Sequence, residues 1–324
     1  MPRHAARYTV DALNGLDDEA LGAVVAPGAA GVSPDRLGTA LAGREHDDLA
    51  ARIARLLPGS AAAVLLAART EAGDGDSGAV RNARLHVVER LFWGLLYWHE
   101  PGLYEELVAG EPIHPGLLEG LPLEGRDVAD LGAGAGRFTL YAAQRARRVV
   151  AVDLMPPLLD RLRARVREAG VGDRVDVLRG TLDHVPLPDA SVDVAVACSS
   201  LTSTPPWGGP AALAEARRIV RPGGMLVVVW PDDPSFFTAR GFTYLACPGD
   251  LTVHFTDRES ALRLTREFYP ASATAWIERT GILDVPFDVL GVRAPRDACW
   301  MLVGEDGGDE LGLAEPEVER RPTD

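Results

Sequence analysis

The chain reads as an α/β protein, a parallel sheet flanked by helices with a helical region in front of it. Three observations predict this. Up to about residue 110 apolar side chains recur at helical spacing. From Arg126 onward, short β-branched runs alternate with amphipathic helical stretches. One of those runs, residues 128–131, passes into three closely spaced glycines before the next helix.

Ser33-Pro34-Asp35 opens a helix, with a capping hydroxyl followed by proline at the first helical position. Leu49, Ile53, Leu56 and Leu57 continue at helical spacing until Pro58-Gly59-Ser60 stops them. Residues 61–70 form another helix, and 71–78 a turn-rich loop. A longer helix follows at about 80–99, with Leu85, Val88, Leu91, Phe92, Leu95 and Leu96 on its apolar side, and Pro101-Gly102 breaks it. Strands are expected at 127–131, 148–152, 174–178, 191–197 and 224–230, with helices at 137–145, 156–169 and 210–220 between them. Two further strands, near 287–293 and 299–303, close the domain.

An insertion is expected between the fifth and sixth strands, a lid at about 231–271. One helix there is opened by Thr256-Asp257-Arg258-Glu259, which has capping-box spacing. A second helix runs from about 272 to 280 and stops at Gly281. The division is thus a helical region over 1–110, an α/β domain over 111–303 and a tail over 304–324. That tail carries eight acids against two arginines and few large apolar groups, so disorder is expected.

Of 324 residues, 47% are hydrophobic and 25% charged, ordinary for a globular protein. The net charge of −14 argues against a nucleic-acid partner, which would need a basic face. All 33 basic residues are arginine. Apolar runs such as 61–68 and 225–230 are too short for a bilayer, and the first residues hold no apolar signal core. Cys198, Cys247 and Cys299 are too few and too scattered for a disulfide frame or a metal site. A reduced cytoplasmic protein without a membrane or metal partner is the expectation.

The strongest motif is Val128-Ala-Asp-Leu-Gly-Ala-Gly-Ala-Gly-Arg-Phe138, a strand that runs into glycines at 132, 134 and 136 and then into a helix. Bare backbone there turns tightly and approaches a ligand closely. A dinucleotide fingerprint needs its third glycine at 137, which is arginine. Val149-Val-Ala-Val-Asp153 is a buried strand ending in an acid 21 residues after Gly132. A carboxylate there suits the two hydroxyls of a ribose, and a helix cap before Pro156 is its bland reading. Two further stretches, Gly180-Thr-Leu-Asp-His-Val-Pro-Leu-Pro-Asp-Ala-Ser-Val-Asp193 and Ala216-Arg-Arg-Ile-Val-Arg-Pro-Gly-Gly-Met-Leu-Val-Val228, follow at regular distances.

In this order and spacing the four motifs resemble those of class I S-adenosylmethionine-dependent methyltransferases. The likeness covers about residues 127–303 and is nearest to the small-molecule group that includes the ubiquinone and menaquinone C-methyltransferases. It implies a seven-stranded Rossmann-like sheet of order 3-2-1-4-5-7-6, the seventh strand antiparallel. It also implies S-adenosylmethionine as cofactor and S-adenosylhomocysteine as product. Carried over by position, Asp130 serves the cofactor's amino group, while Gly132, Ala133, Gly134 and Gly136 line its methionine part. Asp153 holds the ribose and Leu154 packs on the adenine. Thr181 stands where many relatives have an acid for the adenine amino group, and Leu182 offers a backbone N–H. Cys198 and Ser199 lie beside the transferring methyl, with Cys198 read as a packing residue rather than a thiol catalyst.

Thr204-Pro-Pro-Trp207 resembles the Asp/Asn-Pro-Pro-aromatic signature of amino-methyltransferases. It begins with threonine, however, and lies about six residues late, so it reads as a proline-stiffened loop with Trp207 at the pocket rim. His99 and His254 are the candidate general bases, with His184 a third that faces solvent; a surface or structural histidine is the competing reading. Tyr97, Trp98 and Trp207 are candidates for an aromatic substrate wall, against a plain core role for the first two. The implied reaction is methyl transfer to oxygen, nitrogen or carbon of a small organic acceptor. Its rival is a cofactor-binding protein of the same fold that transfers nothing. The helical region is expected to cover the site or to form a homodimer contact.

Overall fold

A computed structural model describes residues 7–27, 31–205 and 207–304. The N-terminal region is helical throughout: α1 (Asp18–Val24), α2 (Pro34–Ala40), α3 (Asp47–Leu56), α4 (Gly59–Ala72), α5 (Gly78–His99), α6 (Pro101–Ala109) and α7 (Pro115–Glu119). Asp17 and Ser77 cap α1 and α5, accepting from the backbone N–H of Ala20 and Val80. Ser33 does not cap α2; its hydroxyl bonds the Asp35 carboxylate instead. Leu85, expected on the apolar side of α5, is 47% exposed. The helices share a core of Leu13, Leu21, Leu37, Ile53, Leu91 and Leu95 that also takes in Leu154, Met155 and Leu158. Those last three follow the second strand of the sheet, so the helical region is a cap seated on the α/β domain. No described helix is long and apolar enough to cross a membrane.

The sheet begins with β1 (Asp127–Leu131), followed by α8 (Arg137–Ala143), β2 (Arg148–Asp153), α9 (Pro156–Glu168), β3 (Val175–Arg179) and β4 (Val192–Cys198). Then come α10 (Gly209–Ile219), β5 (Val220–Val229), α11 (Pro234–Thr238) and β6 (Thr243–Ala246). β7 (Thr252–His254), α12 (Arg258–Phe268), α13 (Ala271–Thr280), β8 (Asp284–Pro286) and α14 (Phe287–Leu290) lead to β9 (Asp297–Leu302). The order in the main sheet is β3-β2-β1-β4-β5-β9-β6. The first five strands are parallel and β9 is antiparallel to both neighbours. Since β9 is the seventh strand of this sheet, the order is the expected 3-2-1-4-5-7-6. Alternate strand residues enter two cores: Val128, Val149 and Val194 face α7, α8 and α9, while Ala129, Val150 and Ala195 face α10 and α11.

Two expectations are corrected here. Residues 287–293 do not form the sixth strand: Phe287–Leu290 is a short helix that ends at left-handed Gly291. Short apolar runs do not distinguish strand from helix, and Pro286 favours a helix start. The sixth strand is the short, mostly exposed edge segment β6, which lies inside the stretch assigned to the lid. The insertion therefore occupies 247–296, between β6 and β9, rather than about 231–271. In it β7 and β8 pair antiparallel around α12 and α13, and Asp257 rather than Thr256 caps α12. Val253, Leu264, Ile277, Val285 and Phe287 form its own core together with Leu107 of α6. Ion pairs Arg7–Glu267 and Arg263–Glu106 also tie the insertion to the cap. The acidic tail beyond 304 lies outside the described residues.

Candidate active site

The candidate crevice is the topological switch point at the carboxyl ends of β1, β2 and β4. After β1 the chain turns through Gly132 and Gly136, with φ of +74° and +91°, and Gly136 is the left-handed residue that starts α8. A Cβ on Gly132 would collide with the Ser200 side chain, whose hydroxyl bonds the Leu131 carbonyl. The N–H groups of Gly132 and Ala133 both donate to Val152 O, at 2.8 and 3.0 Å, which lashes the loop to β2.

Asp130 lies under this loop, 1% exposed, and accepts from the Thr139 hydroxyl at 2.5 Å. It also accepts from the Thr139 backbone N–H, and so joins the end of β1 to α8. Burial pushes its carboxyl up to about 7, against the opposing hydrogen bond from Thr139.

Asp153, the last residue of β2, accepts from Gly134 N–H through Oδ2 at 2.8 Å and from Met155 N–H through Oδ1 at 2.9 Å. Burial raises its carboxyl, and these backbone bonds oppose the rise. Leu154 N–H adds a third backbone bond, and the four acceptor sites of the carboxylate leave one for a ligand hydroxyl. Leu154 is 5% exposed and enters the core shared with the cap, while Leu182 enters the α10 side of the sheet. Thr181 is half-buried and bridges to His184. Cys198 ends β4, where burial holds its thiol above the ordinary value and hence neutral. Ser199 follows in a left-handed conformation, φ +57°, and is exposed.

The cap supplies the opposite wall. Tyr97 meets Tyr104 edge-to-face at 4.7 Å between centroids, and Trp207 at 6.4 Å. The Tyr104 hydroxyl stands 3.8 Å from where a Cβ on Gly134 would lie. Burial raises both phenols, and at Tyr104 the Arg137 charge opposes the rise. Trp98 packs against the helical core of the cap. Pro206, within the Thr204–Trp207 motif, lies outside the described residues. Arg137 reaches back from the start of α8 to Glu111, and Tyr269 at the end of α12 hydrogen-bonds Glu111.

The candidate bases are not in this group. His99 is exposed and its Nε2 lies 2.8 Å from Ala12 O, with the ring beside Tyr8. His254 has a 63% exposed side chain and pairs with Asp284 across the ribbon at 2.9 Å. His184 is exposed as expected. The structure instead brings in Tyr104, Glu111, Arg137 and Tyr269. Tyr104 lies beyond the Pro101 helix break and Tyr269 in the insertion, so only tertiary packing brings them close. Arg137 stands in the sequence merely as the residue that spoils a dinucleotide fingerprint.

Residues 129–228 match the family model described as a methyltransferase domain. An uncharacterized methyltransferase of Mycobacterium tuberculosis is 39% identical over 132 residues, which is 40% of this chain and 49% of that protein. The malonyl-[acyl-carrier protein] O-methyltransferase of Serratia marcescens is 38% identical over 109 residues, 32% of this chain and 37% of its own length. The chain spans about half or less of the length of these curated relatives. A solved S-adenosylmethionine-dependent methyltransferase from Aquifex aeolicus aligns with a TM-score of 0.37 and 19% identity, over 48% of this chain and 93% of that one.

The donor set fits S-adenosylmethionine, since bare backbone can lie against its aminoacyl part and Asp153 keeps acceptor capacity for a ribose hydroxyl. The Asp153 and Glu111 carboxyl groups beside one guanidinium also suit a cationic sulfonium. Sequence match, strand order and glycine loop agree over this stretch, where residues 129–228 are similar to a methyltransferase domain.

Proposed function

We propose that the protein transfers a methyl group from S-adenosylmethionine to oxygen, nitrogen or carbon of a small organic acceptor held between the glycine loop and the cap. The observation that supports this reading is the Asp153 carboxylate accepting from Gly134 N–H, so that the acid at the end of β2 lies against the bare loop after β1. Bound S-adenosylmethionine supplies an electrophilic methyl group. Displacement at that carbon asks the protein to align the acceptor and exclude water. Tyr97, Tyr104 and Trp207 provide the excluding wall. Cys198, kept neutral by burial, forms part of the floor.

The test combines binding and transfer. The protein is incubated with methyl-labelled cofactor and the small-molecule fraction of a bacterial extract, and the products are read by mass spectrometry. Label should appear in a small compound, and Asp153→Ala should weaken cofactor binding by about 1.5–3 kcal/mol, the scale of hydrogen bonds to a charged group. Unchanged affinity in that variant would refute the role of Asp153. Tight binding with no labelled product from any extract would favour the rival reading, a cofactor-binding protein that transfers nothing.

A further inference from the structure

Arg137 is poorly satisfied for a guanidinium in a crowded place. It offers five N–H donors in a fixed fork. Nη1 donates to Glu111 O at 3.1 Å and only loosely, at 3.5 Å, to Glu111 Oε2. Nη2 meets Cys198 Sγ at 3.8 Å, and a thiol sulfur is a weak acceptor. By contrast, Arg147 engages both oxygens of Asp127, at 2.9 and 2.5 Å, in full fork-to-fork fashion. Arg147 is mostly exposed, whereas the Arg137 side chain is 27% exposed and Glu111 10%. The more enclosed arginine therefore has the poorer carboxylate contact, against the rule that enclosed donors are satisfied.

Position adds meaning to the deficit. Arg137 follows Gly136 directly and lies between Cys198, at the end of β4, and Glu111, at the foot of the cap. Glu111 is desolvated, its carboxyl raised by burial and bonded by Tyr269. It occupies the guanidinium loosely while spending part of its own capacity elsewhere.

We infer that the Arg137 guanidinium is the seat of a ligand carboxylate inside the crevice, with Glu111 as the resident counter-charge that yields to it. This rests on the crevice being the cofactor site proposed above. A carboxylate can come from the cofactor's aminoacyl end or from the acceptor, and the same fork serves either.

Calorimetric titration separates the sources. S-Adenosylhomocysteine carries the aminoacyl carboxylate, while 5′-methylthioadenosine keeps the nucleoside and thioether and lacks it. If the cofactor is the source, Arg137→Gln weakens S-adenosylhomocysteine about 10- to 100-fold and leaves methylthioadenosine unchanged. If the acceptor is the source, both nucleosides bind as before, but malonate titrated into the S-adenosylhomocysteine-saturated protein binds only when Arg137 is present. Equal weakening of both nucleosides would mark Arg137 as merely structural and overturn the inference. So would nucleoside and malonate titrations that do not distinguish the variant from the parent.

Glu111→Gln gives an independent reading should the arginine variant fail to fold. Removing the resident charge should tighten the carboxylate ligand by roughly 3- to 10-fold with methylthioadenosine unaffected, on the scale of a charge-assisted hydrogen bond. No tightening would overturn the inference. Absence of methylthioadenosine binding to the parent protein would instead remove the cofactor reading, and this proposal with it.

Discussion

The two walls of the crevice are built from different materials. The sheet wall is backbone: glycines at 132–136 and an aspartate at 153 held by main-chain N–H groups, all within one βαβ unit. The cap wall is side chain: Tyr97 from α5, Tyr104 from α6, Glu111 from the following loop and Tyr269 from the insertion. Backbone geometry tolerates little change, whereas a wall of side chains drawn from distant segments can be remade without touching the sheet. On the proposed function, the difference would separate recognition of a shared cofactor from choice of an acceptor.

The sharpest way to break the sheet wall is Gly132→Ala. A side chain there must adopt φ near +74° and strike Ser200. Strain and overpacking together should cost about 3 kcal/mol of stability and abolish measurable cofactor binding. Gly223→Ala is the matched control, since φ is +76° there but nothing lies within 4 Å of the new atom. It should cost about 1 kcal/mol, the strain alone. Denaturant unfolding of both variants gives the comparison. Equal losses would mean that close approach to Ser200 does not constrain the loop.

That contrast also explains how far the molecule could be read from its sequence. The first five strands and the helices between them are visible because each buries a regular apolar pattern. The glycine loop is visible because glycine is demanded where φ is positive and the chain is crowded. β6 escaped notice because an edge strand of four mostly exposed residues has no apolar pattern to display. Of the cap wall only Tyr97 was legible; Tyr104 and Glu111 escaped notice because they gain their meaning only after α6 turns at Pro101 and packs over Gly134. Histidines invited attention for their chemistry, although their positions answer to local hydrogen bonds.

Asp130 tests whether the sheet wall stores a cost beneath its loop. Its folded-state carboxyl titrates near 7, above the ordinary 3.8, mainly through burial. The folded protein therefore holds this proton more tightly than the unfolded chain. The associated stability is fully present below about pH 4 and is lost as pH rises towards 7. Asp130→Asn keeps an acceptor for Thr139 and cannot ionise. Relative to the parent it should gain on the order of 2 kcal/mol between pH 4 and 7, allowing for relaxation around the charge. Parallel melting curves across that range would expose the gain. A constant gap between the two proteins would show that Asp130 is ionised throughout.

The smallest effect is expected outside both walls, at His254. A histidine can serve as base only where its ring reaches the acceptor, and this ring is largely exposed on the ribbon, paired with an equally exposed Asp284. Exposed pairs of this kind contribute less than about 1 kcal/mol. His254→Gln should therefore leave stability within about 0.5 kcal/mol of the parent and the transfer rate unchanged at every pH from 6 to 8. A rate that falls several-fold while cofactor affinity holds would place the insertion in the chemistry. The ribbon would then have to turn His254 inward on binding, and the cap wall would be assembled by the acceptor rather than waiting for it.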